Sequence, residues 1–181
     1  MLTGPSSRGA RTTAVIELRI RAGSPADATA VLALLDEAVE WLVERGLVGQ
    51  WGEVAFSARP EMRGRVDNML RAHEVRIAEH DGEAVGALAL GPAPDYVPPS
   101  PVAELYVTLL VSARRLAGNE VGARLLTAAV QLAREWSTGL VRVDCWADAP
   151  RLIRFYEREG FIRDGRFELE GWRGQILSKP V

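Results

Sequence analysis

The stretch from Val102 to Trp146 constrains the fold of this chain most, because it places two apolar strands on either side of a long helix. Val102–Val111 is nearly continuous in apolar and β-prone residues, which is typical of a central strand. Apolar residues then recur at helical spacing from Val121 to Trp136, and a second apolar run occupies Leu140–Trp146. This order of strand, helix and strand predicts an α/β domain.

The other segments extend the same kind of fold. We see no internal repeat and no second core, so we expect one domain over residues 14–181, preceded at 1–13 by a disordered leader or a cloning remnant. The predicted order is β-α-α-β-β-β-α-β-α-β-β, with a central mixed sheet flanked by helices on both faces. The remaining predicted elements are a strand at Val15–Ile20, helices from Ser24 to Gly46 and from Ser57 and Pro60 onward, strands at Val75–Glu79 and Glu83–Leu90, a helix at Pro150–Glu159, and strands at Phe161–Glu170 and Gln175–Ser178.

Composition excludes several classes of function. The 181 residues include 24 acidic and 22 basic side chains. This balance argues against a nucleic-acid-binding protein and against binding to anionic membranes, since both need a basic surface. The single cysteine, Cys145, cannot form an internal disulfide. Because the chain has only two histidines, His73 and His80, in addition to this cysteine, we expect no metal site. No apolar run reaches the roughly 18 residues of a membrane span and no secretory signal is evident, so we expect a cytoplasmic protein.

The turn before the long helix is the first candidate site. Backbone N–H groups at the start of a helix lack partners, and the helix dipole adds partial positive charge, so such a turn can bind a phosphate. A purely structural interpretation remains open, in which Gly118 makes the turn, Asn119 caps the helix and Glu120 complements the dipole.

The second candidate site is the short helix after the Leu140–Trp146 strand. Phe155 and Tyr156 are adjacent and therefore point about 100° apart on a helix, so one can face the core while the other faces a cleft. A tyrosine at a cleft can donate a proton to a leaving group. The alternative is that Tyr156 is packing with its hydroxyl in water.

Together the two segments resemble the GNAT superfamily of N-acetyltransferases. The resemblance lies in the apolar strand, the turn with Gly118 and Gly122, the helix with Leu125-Leu126, and the run Phe155-Tyr156-Glu157-x-x-Gly160-Phe161. It is clearest from Val102 to Phe161, and the order of elements extends it back to Val15. It implies acetyl-coenzyme A as co-substrate and an amine as acceptor.

The resemblance also implies roles for individual residues. Backbone groups of Leu109, Leu110 and Val111 would hold the pantetheine arm, and an N–H group, assigned to Leu109, would polarise the thioester carbonyl. Tyr156 would protonate the departing thiolate, while the amine attacks directly in a ternary complex. The diphosphate would be held at the turn by Arg115, Ala117, Gly118, Asn119, Glu120, Val121, Gly122 and Ala123.

The chain departs from the family pattern at several of these positions. When Leu125-Leu126 sets the register, Ala117 replaces an Arg or Gln and Glu120 replaces a glycine. The spacing from Val111 to the turn is one residue longer than usual, and Ala149 stands where asparagine is frequent. A carboxylate at Glu120 would repel a diphosphate if it pointed inward. An alternative to the enzyme is therefore a non-catalytic acyl-coenzyme A-binding or interaction module on a degenerate fold.

The acceptor side is less constrained by the sequence. By analogy with family members that use a strand carboxylate, Glu104 is the candidate general base, although a solvated strand-edge acid is an equal alternative. Trp41 and Trp51 are candidates for the acceptor pocket, or else core packing, and the loop Pro92–Pro101 is a candidate rigid wall. We expect a small-molecule amine acceptor, with a protein N-terminus or lysine also open, and a possible homodimer.

Overall fold

The structure is a computed structural model that describes residues 16–181, so the predicted leader at 1–13 lies outside the described residues. Within this part of the chain one mixed sheet has the strand order β1-β2-β3-β4-β5-β7-β6. The order of elements confirms the predicted α/β fold. The strands are β1 (Arg19–Ala22), β2 (Glu74–His80), β3 (Glu83–Gly91), β4 (Glu104–Ser112), β5 (Leu140–Trp146), β6 (Ile162–Leu169) and β7 (Trp172–Pro180), and the helices are α1 (Ala28–Val43), α2 (Pro60–Ala72), α3 (Val121–Glu135) and α4 (Pro150–Arg158).

Helices cover both faces of the sheet, as predicted. Both α1 and α3 pack on β3 and β4 without packing closely on each other, so they lie on opposite faces. A side chain at Gly86 of β3 would meet Val121 and Leu125 of α3, which identifies the face that α3 covers. The main core therefore lies between these helices and the central strands, where Leu88 and Leu125 are fully buried.

β4 and β5 are the only strand pair in the described sheet that runs parallel, and they pair over a short length. Glu104–Val107 of β4 pairs with Leu140–Val143 of β5, and the pairing then stops. β3 continues along the other edge of β4 as far as Ser112, while β7 continues along the other edge of β5 as far as Trp146. The sheet therefore opens into a fork between the later halves of β4 and β5.

Three predicted strands had wrong boundaries because strand pairing, rather than local alternation, sets where a strand ends. β1 spans Arg19–Ala22 and so ends two residues after the predicted Ile20, since this is the segment that pairs with β2, whereas the predicted start at Val15 lies outside the described residues. β4 begins at Glu104, and the preceding Val102 is half exposed. β7 is longer than predicted, because it pairs with β5 along Gly174–Pro180 and with β6 through a tight hairpin. No helix between residues 16 and 181 has the length and apolarity needed to cross a membrane.

Candidate active site

The open edge of β4 is where the fork can hold an extended ligand. In an antiparallel pair, residues alternate between those that exchange hydrogen bonds with the partner strand and those whose N–H and C=O point away from it. The Ala113 N–H donates to Val85 O at 2.9 Å, which continues the β3–β4 pairing and fixes this alternation. Leu109 and Val111 therefore face β3, whereas Leu110 and Ser112 point their backbone groups into the fork.

A second contact agrees with this register. The Ser112 carbonyl accepts hydrogen bonds from Arg114 Nε at 3.0 Å and Nη2 at 2.8 Å, so it does not point at β3. The pairing also shifts between Ala89 and Leu90, which leaves Thr108 as an extra residue on β4 at the point where the fork begins. The geometry thus favours the Leu110 N–H, one residue beyond the predicted Leu109, as the donor that faces a ligand in the fork.

The start of α3 supplies a group of free backbone donors. Among the described residues, no hydrogen-bond acceptor contacts the N–H groups of Gly118 or Glu120, nor those of Val121–Ala123 in the first turn of the helix. Three other residues predicted at this site use their N–H groups within the protein: Ala117 donates to Arg114 O, Asn119 to Leu116 O and Arg115 to Glu37. The free donors and the helix dipole form an anion site at the mouth of the fork.

Glu120 has a backbone conformation that normally favours glycine. It lies immediately before α3 with φ 58°, in the left-handed region where a side chain is disfavoured. Its side chain is exposed, and no described residue pairs with it. Glu120 therefore holds this turn in a locally strained conformation that glycine would adopt without strain.

Glu37 and Trp41 of α1 support the turn that follows β4. Glu37 Oε1 accepts hydrogen bonds from the backbone N–H groups of Arg114 at 2.6 Å and Arg115 at 3.3 Å. The Arg114 guanidinium lies 5.3 Å from the centre of the Trp41 ring, and the Arg45 guanidinium lies 4.3 Å from it. These contacts indicate that Trp41 supports the turn after β4, and they do not favour a role for Trp41 in binding the acceptor amine.

The Arg115 side chain forms an ion pair with a residue of β3. Its Nη2 lies 2.9 Å from Glu83 Oε2 at the start of β3. Its backbone N–H is bound to Glu37, so Arg115 offers no free backbone donor to a diphosphate. This placement does not favour the predicted role of Arg115 in binding the co-substrate.

Tyr156 lies on α4 beside the fork. A Cβ at Gly122 would come within 3.1 Å of Phe155, so α4 is docked against the start of α3. The Tyr156 ring is buried against Phe161, with 5.7 Å between centroids. Its hydroxyl has no hydrogen-bond partner among the described residues. Burial raises the pKa of the Tyr156 phenol, which therefore stays protonated at neutral pH and can act as an acid.

The environment of Cys145 does not favour a reactive role. It is 1% exposed in the core, and burial raises its pKa to about 12. A thiol in that environment is not a nucleophile at neutral pH.

Glu104 lies at the closed end of the fork. Its Oε2 accepts a hydrogen bond of 2.9 Å from Arg142 Nη1, and Arg142 is 4% exposed. Arg142 also donates from both terminal nitrogens to Pro98 O at 3.1 Å, which fixes the proline-rich loop to the sheet. Glu104 is six residues before Leu110, or about 20 Å along an extended strand. Its position and its ion pair do not favour a general-base role.

The sequence analysis overlooked the polar residues that lie between Glu104, at the closed end of the fork, and Leu110, in its open half. Tyr106 Oη donates to Asp144 Oδ1 at 2.5 Å, linking β4 to β5 where their pairing stops. Thr108 Oγ1 lies 3.0 Å from His73 Nδ1 at the end of α2. An aspartate in the apolar run Leu140–Trp146 was the available signal, because a charge in a buried strand needs a partner or a function.

The connection between α1 and α2 packs against the end of β5 and the start of β7. The Gln50 side chain accepts a hydrogen bond from the Trp146 N–H at 3.0 Å, and Gly49 O accepts one of 2.7 Å from Trp172 Nε1. Trp51 is half-buried and packs edge-on against Phe56, with 5.8 Å between ring centroids. Trp51 therefore belongs to the wall of this side, and its contacts are compatible with either of the predicted alternatives.

Comparison with known proteins agrees with this architecture. The model of the acetyltransferase (GNAT) family matches residues 54–161. An uncharacterized N-acetyltransferase of Bacillus subtilis, YesJ, is 30% identical over 150 residues, which cover 75% of this chain and 76% of YesJ.

Solved structures share the fold at lower identity. A GNAT-family acetyltransferase from Listeria monocytogenes superposes with a TM-score of 0.71 at 20% identity, covering 94% of this chain and 98% of the other. The PaiA N-acetyltransferase of Thermoplasma acidophilum, solved in complex with coenzyme A, superposes with a TM-score of 0.72 at 15% identity, covering 92% and 100%. The match to the family over more than half of the chain is decisive: this chain belongs to the GNAT family of acetyltransferases.

Proposed function

We propose that this protein is an N-acetyltransferase that transfers the acetyl group of acetyl-coenzyme A to the primary amine of a small molecule. The observation that carries the proposal is the continuity of free backbone donors from the fork to the start of α3. Leu110 points its backbone groups into the fork, and Gly118, Glu120 and the first turn of α3 offer unpaired N–H groups beyond it. This is the arrangement that a pantetheine arm followed by a diphosphate requires.

The donor would bind as an additional strand along the open edge of β4. Its amide groups would pair with Leu110 and with the Ser112 N–H, since Arg114 already binds the Ser112 carbonyl, and its diphosphate would accept hydrogen bonds from the N–H groups of Gly118 and Val121–Ala123. The thioester carbonyl would then lie near the Leu110 N–H, which stabilises negative charge on that oxygen during attack. Fixing the thioester beside the acceptor supplies much of the rate, since no covalent enzyme intermediate is needed.

Tyr156 would protonate the departing thiolate. The phenol is protonated at neutral pH, because burial raises its pKa, and its hydroxyl is not engaged by another described residue. A neutral donor held beside the developing thiolate lowers the barrier to C–S cleavage.

A cytoplasmic location and a homodimer stay predictions.

The known relatives support the class of reaction. YesJ is named an N-acetyltransferase, and an acetyltransferase from Salmonella typhimurium that shares the fold, with a TM-score of 0.63 at 16% identity, was solved with acetyl-coenzyme A. The left-handed backbone at Glu120 also supports the enzyme over a degenerate module, because it is a conformation that glycine, the residue of the family pattern at this position, adopts freely.

Calorimetric titration with acetyl-coenzyme A, coenzyme A and ATP is the first test. We expect saturable binding of both coenzyme A forms and none of ATP, followed by thiol release in the presence of a panel of primary amines. The absence of binding at millimolar acetyl-coenzyme A would contradict the proposal and favour the non-catalytic module.

Tyr156→Phe tests the proposed acid. We expect kcat to fall by about 100-fold, the range of a lost general acid, while the Kd of acetyl-coenzyme A is unchanged. Single-turnover thiol release measured from about pH 6 to pH 10 checks this. An unchanged kcat at every pH would exclude Tyr156 as the acid.

A further inference from the structure

Asp144 occupies the base of the fork on the side opposite α3. It is the first residue of β5 beyond the segment that pairs with β4. Because paired residues share a face, Tyr106 and Arg142 lie on the same face of the sheet, and Asp144 follows Arg142 at the spacing of two that keeps it there. The hydrogen bond from Tyr106 Oη to Asp144 Oδ1 confirms that both side chains are on this face.

The Asp144 carboxylate lacks a cationic partner. Between residues 16 and 181, no Lys, Arg or His nitrogen lies within 4.0 Å of it, and Arg142 is directed to Glu104 and Asp164 instead. Tyr106 donates to Oδ1, and the Asp144 backbone N–H also stabilises the carboxylate, but no described side chain donates to Oδ2. The half-buried carboxylate can therefore still accept a hydrogen bond from a ligand at Oδ2.

The surroundings of Asp144 are apolar and aromatic. Ile176 lies directly opposite on β7 and belongs to one buried cluster with Val97 and Tyr106. Phe167 packs against this cluster, and its ring centroid lies 5.1 Å from that of Tyr96. Burial raises the pKa of Asp144, because the charged form loses solvation. Aromatic faces beside a free carboxylate attract a cation that carries an apolar group.

We propose that Asp144 binds the ammonium group of the acceptor, a primary amine on an apolar or aromatic skeleton, and accepts a proton from it before the amine attacks the thioester. This inference rests on the proposed function and names the acceptor class and the base for it. Asp144 thereby takes the role that the sequence suggested for Glu104, which is held by Arg142.

The protons balance as follows. The ammonium donates one proton to Asp144 Oδ2, and solvent removes it from the carboxylic acid. The neutral nitrogen bonds to the thioester carbon, whose C–S bond then breaks. The thiolate takes the Tyr156 proton, and the phenolate recovers a proton that the new amide nitrogen loses through water. The net products are the acetamide, the coenzyme A thiol and one proton.

The pH dependence of such a base is set by the charged and titratable groups around it. These are Tyr106 on β4, Arg142 and Cys145 on β5, Tyr96 on the proline-rich loop, Arg65 on α2 near Tyr96, and Tyr156 on α4. Tyr106 stabilises the charged carboxylate by donating to it, which opposes the effect of burial.

Binding provides a test that does not depend on turnover. The protein saturated with coenzyme A would be titrated calorimetrically at pH 7 with 2-phenylethylamine and with the neutral isostere 2-phenylethanol. We expect the amine to bind about tenfold more tightly or better, the range of a charge-assisted hydrogen bond. Asp144→Asn should remove this preference. The matched control is Asp81→Asn, the same change at a turn residue whose side chain is 88% exposed, which should keep it.

Turnover provides the test of proton transfer. With 2-phenylethylamine, Asp144→Asn should lower kcat/KM by about 100-fold at pH 7, and the deficit should shrink towards about pH 10, where the amine loses its own proton. With 2,2,2-trifluoroethylamine, which is largely neutral at pH 7, the deficit should nearly disappear. A merely structural role would lower the rate equally for both amines and at every pH.

Tyr106→Phe keeps the Asp144 carboxylate and removes the hydroxyl that donates to it. It should shift the acidic limb of the kcat/KM profile to higher pH without abolishing activity, and it keeps the test decisive if Asp144→Asn does not fold.

Equal binding of amine and alcohol by the wild-type protein, or an unchanged amine preference and pH profile in Asp144→Asn, would overturn the inference. If the wild-type protein binds no acetyl-coenzyme A, the proposed function fails, while the amine preference in the unloaded protein still decides the role of Asp144.

Discussion

The two halves of β4 have similar apolar sequences but opposite structural roles. The first half, Glu104–Val107, pairs with β5 along its whole length and with β3 at Tyr106 and Val107, and its charged residue is neutralised by Arg142. The second half, Thr108–Ser112, pairs only with β3, from Leu109 onward, so it exposes backbone groups on its other edge. The first half therefore closes the sheet, and the second half opens it for a ligand.

The difference shows how one strand can serve both stability and binding. An exposed strand edge in a folded protein is normally covered or blunted, because it can pair with other chains. Here the open edge lies inside the fork between two strands and beside the start of α3. A second chain cannot reach it easily, whereas a narrow extended ligand can.

The largest effect is expected from breaking the closed half. Arg142→Met removes the partner of Glu104 and the two donors to Pro98 O, and leaves a partly buried carboxylate unpaired. We expect the free energy of unfolding to fall by about 3 to 5 kcal/mol, which urea denaturation would measure. The double variant with Glu104→Gln should recover part of this loss. A change below about 1 kcal/mol would show that this pair does not hold the closed half together.

A proline at the open edge gives the next largest effect. The Leu110 N–H points into the fork, so Leu110→Pro removes a donor to the ligand without removing a bond to β3. We expect kcat to fall by about 100-fold or more, as when an oxyanion donor is lost, with the fold retained by circular dichroism. Leu110→Ala, which keeps the N–H, is the control for the lost side chain.

Leu109→Pro sharpens the same comparison. The Leu109 N–H faces β3, so this proline should destabilise the fold more than Leu110→Pro in the same urea measurement. The opposite result, with Leu109→Pro folded but inactive, would show that the functional register is one residue earlier, as the sequence resemblance implied.

The smallest effect is expected at Glu120. Glu120→Gly relieves the left-handed backbone at φ 58° and should raise the free energy of unfolding by about 1 kcal/mol. Glu120→Gln removes the charge but keeps the strain, so it should leave stability unchanged and strengthen acetyl-coenzyme A binding by a few tenths of a kcal/mol, about the value of one exposed charge contact. Equal Kd values for Gln and wild type would mean that the carboxylate lies away from the diphosphate.

Much of the fold could be predicted because each element is encoded by local pattern. The helical spacing around Leu125 and the alternation of β2 and β3 around the Asp81-Gly82 turn were sufficient to give their type and order. Strand ends were less accurate, since β1 and β7 begin and end where a neighbouring strand stops pairing. For the same reason the sequence could not choose between Leu109 and Leu110.

The site divides in a similar way. Tyr156 and the turn at Gly118 and Gly122 follow a local pattern, so sequence alone indicated them as candidates. Asp144 could not be found in that way, because its partner Tyr106 is 38 residues away and meets it only through the β4–β5 register. Glu104 was suggested by type and position on a strand, but only the structure shows that Arg142 holds it at the closed end.

The sequence by itself determined the identity and order of the elements, the glycine turn and the aromatic pair on α4, since propensity, periodicity and turn chemistry act over a few residues. The tertiary structure alone decided where β4 and β5 separate, which backbone groups face the resulting fork, and which carboxylate is paired. These features depend on strand register and on contacts between distant residues, whose free energy is set by packing across the whole sheet.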